Sequence, residues 1–118
     1  MVLFAEGTTG DGRAVLPFRS SLFAAGVGHK MVRPVALVWS RRDGRPFDPR
    51  ERRRFAWIDD DRLLPHAIAL ALSGGARVDL HFEPALSGED RKQLAAQCRA
   101  AIARRVAEAQ AATLKRAA

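Results

Sequence analysis

Glu6, Thr8, Thr9 and Arg19 are the side chains whose types and spacing suit chemistry. Glu6 stands where a short apolar run, Val2-Leu3-Phe4-Ala5, meets the turn signal Glu6-Gly7. Such a run reads as a buried strand. Gly7, Gly10 and Gly12 follow within six residues, so the backbone can approach a ligand closely. A carboxylate, two hydroxyls and loop N–H groups then gather at the carboxyl end of a predicted strand, where open α/β sheets bind ligands. Pro17 opens a predicted helix with Arg19 in its first turn, an arrangement that suits a phosphate.

The other reactive residue types read as structural. Asp59-Asp60-Asp61 lacks the alternating ligands of a calcium loop and is expected to cap a helix. His66 falls beside the apolar face of that helix, and His81 on the polar, solvent-facing side of a later strand. Cys98 sits in an apolar helical stripe, as a buried thiol does, and a single cysteine excludes an internal disulfide. The sequence holds no Walker loop, zinc spacing or nucleophile elbow.

At the first of these stretches the chain resembles the glycerolipid (lysophospholipid) acyltransferases, which include 1-acylglycerol-3-phosphate acyltransferases. Their third motif, Phe-Pro-Glu-Gly-Thr-Arg/Thr-Ser followed by Pro-Phe-Arg/Lys, is matched by Phe4-Ala5-Glu6-Gly7-Thr8-Thr9-Gly10 and then Leu16-Pro17-Phe18-Arg19. Ala5 stands for the family proline and Gly10 for the serine. The fourth motif, an apolar strand opened by proline, is matched by Val32-Arg33-Pro34-Val35-Ala36-Leu37-Val38. Residues 57–66 and the Asp90-Arg91-Lys92 helix start look like the bacterial branch that includes ornithine-lipid acyltransferases.

The resemblance implies the acceptor-binding half of the domain, spanning residues 1–118. Substrate-binding residues would be Glu6, Gly7, Thr8, Thr9 and Arg19, with Arg19 on the phosphate. The acceptor would be a lysophospholipid such as 1-acylglycerol-3-phosphate, or alternatively a lyso-ornithine lipid. The acyl donor would be acyl-CoA or acyl carrier protein, with no cofactor or metal. The family's base is a histidine with an aspartate five positions later. His29, His66 and His81 are followed at that distance by Pro34, Ala71 and Leu86, and only five residues precede Glu6. No catalytic residue is expected in this chain, which should be inactive without the missing N-terminal half.

These residues must be positioned by a fold, and the pattern points to α/β: about three strands alternating with helices, then a long C-terminal helix. A helix is expected over residues 18–25 and a buried strand over 32–39, parallel to the first through a right-handed crossover. Residues 40–54 read as a loop punctuated by Gly44, Pro46 and Pro49. A helix follows over 62–73, with Leu63, Leu64, Ala67, Ile68, Ala71 and Leu72 on its apolar face. Residues 76–83 alternate, with Ala76, Val78, Leu80 and Phe82 inward and Arg77, Asp79, His81 and Glu83 outward. Ser87-Gly88-Glu89-Asp90 reads as a capping box for a helix reaching residue 115, striped by Leu94, Cys98, Ile102 and Val106.

At 118 residues and 47% hydrophobic, the chain makes one globular domain at most. A net charge of +7 calls for an anionic partner: lipid head groups, a phosphate substrate or nucleic acid. Residues 40–54 alone carry seven arginines against three carboxylates. Near an anionic membrane each would contribute about 1 kcal/mol. Few aromatics interleave with them, so no nucleic acid is expected, although a small basic nucleic-acid binder remains the rival class. No apolar run reaches the roughly 18 residues that span a bilayer, and the N-terminus lacks a signal-peptide pattern. The expectation is peripheral attachment on the cytoplasmic side of a membrane.

Overall fold

A computed structural model describes residues 1–56 and 62–117. The Asp59-Asp60-Asp61 cap lies outside the described residues. The chain is mixed α/β and closes on a long helix, α3 (Arg91–Ala117). Asp90 Oδ1 accepts from the N–H groups of Lys92 and Gln93 at 2.7 and 2.8 Å. A short carboxylate there satisfies donors that no helical carbonyl can reach. Asp90 is thus the cap, and Ser87 lies instead in strand β4 (Leu86–Gly88). Leu94, Ala95 and Cys98 are buried as the stripe predicts, and Ile102 and Val106 are half-buried. Burying a side chain like that of Leu94 stabilises by about 1.5–3 kcal/mol.

In place of the expected helix over 18–25 stands a 3-10 helix, Ser20–Gly26, packed against α3. Its Phe23 joins Leu94, Ala95 and Cys98 in the core, with the Phe18 ring stacked on it at 6.1 Å. Strand β1 (Gly28–Val32) pairs antiparallel with β4. Strand β2 (Val35–Arg41) pairs antiparallel with β3 (Ala76–Phe82), from Val35 opposite Phe82 to Arg41 opposite Ala76. The expected parallel pair is absent among the described residues. Residues 2–5 form no strand, and Met1, Val2 and Phe4 are exposed. A strand exists through a ladder partner, and no strand among the described residues pairs with Val2-Leu3-Phe4-Ala5.

The β2–β3 sheet buries the face opposite to the one its alternation suggests. Ala36, Val38 and Ser40 are buried on β2, which packs on α3. On β3, Val78, Leu80 and Phe82 are exposed, whereas Asp79 and His81 are half-buried and Glu83 just beyond is 2% exposed. Charge explains the inversion. Glu83 accepts from Arg105 Nε at 2.5 Å and from Arg104 Nη2 at 3.4 Å, both on α3. Those bonds hold its carboxyl below the usual value, Arg105's contributing most, against the desolvation that would raise it.

The expected loop over 40–54 contains a helix, α1 (Pro49–Phe55). Asp48 caps it by accepting from the N–H groups of Arg50 and Glu51, and Glu51 reaches back to the Asp48 N–H at 2.9 Å. Proline at the first helical position completes the start signal. The next helix, α2 (Leu63–Ala71), forms where expected but leaves its apolar residues uncovered: Leu63, Leu64, Ile68 and Leu72 are all exposed.

Candidate functional site

The loop after Ala5 is built around one carboxylate. Glu6 Oε1 accepts from the Leu16 N–H at 3.1 Å across ten residues, which ties the two ends of the loop together. The Arg19 N–H donates to Ala5 O at 2.9 Å, and the Gly7 N–H to Phe4 O at 3.1 Å. These bonds bring Glu6, Gly7 and Arg19 into one place, so the strand expected over 2–5 is not needed to assemble them.

Gly7 sits at φ +66, in the left-handed region where an L side chain is strained. An added Cβ there would lie 2.7 Å from both Cδ and Nε of Arg19. The arginine side chain therefore runs directly over the Gly7 backbone. Arg19 is exposed, and its guanidinium has no hydrogen-bond partner among the described residues. It is the cap residue of the 3-10 helix rather than a member of a first α-helical turn. The Arg19 guanidinium therefore does not stand in the first turn of an α-helix, where the helix dipole would act beside it. Thr8 and Thr9 are exposed on the same loop. The five expected residues are close in sequence and space, and Glu6, Gly7 and Arg19 make the loop-defining contacts described above.

Periodicity did not reveal what holds the loop down. Arg99 of α3 donates from Nε to Leu16 O at 3.0 Å and from Nη2 to Val15 O at 2.9 Å. Gly12 O accepts from Gln110 of α3 at 3.3 Å and from Arg52 of α1 at 3.4 Å. Arg52 and Arg99 look like surface charge in the sequence, and only the tertiary fold pairs them with carbonyls of the motif loop. His66 is half-buried on α2, and His81 is half-buried on β3 rather than solvent-facing. Neither belongs to the loop. The described residues contain no group of histidine, cysteine and carboxylate side chains that could hold a metal.

No protein-family model and no solved structure matches the chain. Curated proteins do. The chain is 40% identical over 106 residues to a lyso-ornithine lipid O-acyltransferase of Brucella abortus (strain 2308), covering 80% of this chain and 40% of that protein. It is 35% identical over 96 residues to the protein of the same name from Rhizobium meliloti (strain 1021), covering 73% and 32%. The Rhodobacter capsulatus protein of that name is 35% identical over 113 residues, covering 86% and 38%. The chain thus spans 32–40% of the length of these relatives.

Proposed function

Because the chain belongs to the glycerolipid acyltransferase family, we propose that it forms the acceptor-binding part of an O-acyltransferase of lipid biosynthesis. The observation that carries this reading is the Glu6-closed loop with the Arg19 guanidinium, unpaired among the described residues, lying over Gly7. An acyl group would pass from the thioester of acyl-CoA or acyl carrier protein to a lysolipid hydroxyl. The hydroxyl oxygen bonds to the thioester carbonyl carbon, the thiolate leaves, and the hydroxyl proton goes to a base. None of His29, His66 and His81 has an aspartate five positions on. The base, worth about 10² to 10⁴ in rate, therefore comes from the remainder of the domain.

Within this chain each site residue has a task. Arg19 grips the anionic head group of the acceptor. Its planar fork engages two oxygens at once, on a phosphate or on the carboxylate of an ornithine head group. Gly7 keeps a side chain out of that contact, Glu6 fixes the loop, and Thr8 and Thr9 offer hydroxyls beside it. The relatives' names favour a lyso-ornithine lipid over 1-acylglycerol-3-phosphate as acceptor.

The acceptor resides in a membrane, and α1 and α2 fit a peripheral contact with an anionic one. Arg50, Arg53 and Arg54 are exposed on α1, and Leu63, Leu64, Ile68 and Leu72 on α2. An apolar helix flanked by arginines lies in the interface plane, and each basic residue near an anionic surface adds about 1 kcal/mol. No helix among the described residues is long and apolar enough to cross a membrane.

The test is a chimera in which this chain replaces the stretch it matches in the Brucella abortus relative. Acyl transfer from acyl carrier protein is followed in detergent micelles, with lyso-ornithine lipid and with 1-acylglycerol-3-phosphate. The chimera should be active, and Arg19→Ala should lower kcat/KM about ten- to a hundredfold, from a charge-assisted contact worth about 1.5–3 kcal/mol. An active chimera indifferent to Arg19→Ala with both acceptors overturns the assignment.

A further inference from the structure

The β2–β3 sheet is incomplete on two sides, and the two gaps adjoin. On one face Val35, Leu37 and Trp39 of β2 lie opposite Phe82, Leu80 and Val78 of β3. Trp39 is 52% exposed, Leu80 55% and Phe82 64%. Six large apolar side chains on three cross-strand pairs form one patch, and α3 covers only the other face. Monomeric soluble proteins rarely leave such a patch uncovered.

The second gap is the outer edge of β2, which pairs only with β3 among the described residues. The Arg41 N–H turns away from β3 and donates to Arg45 O at 2.8 Å. In an antiparallel pair, residues alternate between bonding the partner strand and pointing away from it. The N–H and C=O groups of Trp39 and Leu37 therefore point outward with that of Arg41. A cavity of about 240 Å³ lies along this edge, and Leu37, Val38 and Trp39 all line it. Three consecutive strand residues can line one cavity only along the strand's edge, since successive side chains face opposite ways. Thr9 and Gly10 of the motif loop line it too, so the open edge runs past the candidate site.

We propose that this open edge and apolar face are the seat of the histidine-bearing remainder of the acyltransferase domain, which adds a strand along β2 and covers Leu37, Trp39, Val78, Leu80 and Phe82. The inference rests on the function proposed above. Two fifths or less of each relative is matched by this chain, so the greater part of such a domain has to pack somewhere. An open strand edge beside an uncovered apolar face is what a sheet cut between two strands leaves behind. The same edge passes the loop that carries Glu6 and Arg19, so a strand placed there would bring the remainder's base to the acceptor. A bilayer would cover the apolar patch but would leave the outward N–H and C=O groups of β2 unpaired, which favours a protein segment.

The test works in trans. The 118-residue chain is co-expressed with the tagged portion of the Brucella abortus relative that has no counterpart in it. A one-to-one complex should co-purify. Hydrogen exchange at the Leu37 and Trp39 amides should slow at least tenfold on complex formation, while amides at the centre of α3 stay unchanged. With Trp57→Phe leaving Trp39 as the lone tryptophan, its emission should shift to the blue. Leu80→Asp and Phe82→Lys, both at exposed positions, should reduce recovery of the complex tenfold or more while α3 keeps its circular dichroism. Failure to co-purify overturns the docking proposal. So does a complex that forms without protecting Leu37 and Trp39, or a stable homodimer that Leu80→Asp dissolves. Arg19→Ala should leave the complex intact and lower acyl transfer. A complex that forms normally but transfers no acyl group would overturn the proposed function and leave the docking face standing.

Discussion

Two glycines of the motif loop separate backbone strain from the placement of Arg19. Gly7 and Gly12 have φ of +66 and +72, so alanine at either incurs the left-handed penalty of about 1–2 kcal/mol. Their surroundings differ. A Cβ on Gly12 meets nothing within 4 Å, whereas one on Gly7 meets Cδ and Nε of Arg19 at 2.7 Å. The arginine side chain is flexible, so it swings aside rather than breaking the loop. Gly12→Ala should thus lower stability alone, and Gly7→Ala should lower stability by a similar amount and also displace the guanidinium. For a chain of this size 1 kcal/mol shifts Tm by about 4 °C, so each variant should melt roughly 4–8 °C lower. Only Gly7→Ala should also lower kcat/KM, about ten- to a hundredfold, as a lost charge-assisted contact of about 1.5–3 kcal/mol requires. The measurements are thermal unfolding by circular dichroism and micelle kinetics in the chimera. The decisive control is Arg19→Ala on both backgrounds. It should lower kcat/KM by the same factor, about ten- to a hundredfold, in the parent and by little more in Gly7→Ala, because one contact cannot be lost twice. Equal losses on both backgrounds, or a kinetic defect in Gly12→Ala as large as in Gly7→Ala, would refute the coupling.

Arg99→Ala removes the two bonds to Val15 O and Leu16 O. Two exposed charge-assisted bonds worth about 1.5 kcal/mol together should speed hydrogen exchange at the Leu16 and Arg19 amides roughly tenfold. The carboxyl of Glu83 is held below its ordinary value of 4.5 chiefly by Arg105. The stability this adds is full above about pH 4.5 and is lost as pH falls through the depressed folded value. An acid series of Tm values should therefore fall less steeply for Glu83→Gln than for the parent below that pH. Cys98 is buried, and burial pushes its thiol above the ordinary 9.0, so a thiol reagent should label the native chain slowly and the chain in denaturant at once. On α2, Leu64→Asp and Ile68→Asp should lower binding to anionic vesicles at every salt concentration. Arg50→Gln with Arg54→Gln should instead flatten its salt dependence.

Local signals in the sequence were readable where an element is settled by its own residues. The Leu94–Cys98–Ile102–Val106 stripe marks α3, and the strands at 35–41 and 76–82 stand close to where their apolar content puts them. The Glu6-Gly7-Thr8 centre and Arg19 were likewise visible as a cluster, since only fourteen positions span them. Helix α1 was missed although Asp48, Pro49 and Glu51 spell its start, because neighbouring prolines and arginines suggested a loop. The inverted face of β3 could not be read from alternation. Its two faces are cleanly apolar and polar, and the choice was made by Arg104 and Arg105 of α3, more than twenty residues on, which draw Glu83 and its polar face inward. Partner choice defeated the reading at residues 2–5 as well, where an apolar run pairs with no strand among the described residues. Arg52, Arg99 and Gln110 belong to the same class: their carbonyl partners lie 40 to 98 residues distant, and no periodicity reports that.

The tether from Arg99 to the motif loop also has a consequence in time. Its two bonds join residues 83 and 84 positions apart. At a synthesis rate of about 5–20 residues per second, the loop leaves the ribosome roughly 4–17 s before its anchor does. During that interval Glu6 can still close the loop on Leu16, but nothing seats the closed loop on the body of the protein. The motif at the start of the sequence is therefore among the last features to reach its final place, and a chain arrested before residue 99 would carry every residue of the candidate site without its docked geometry.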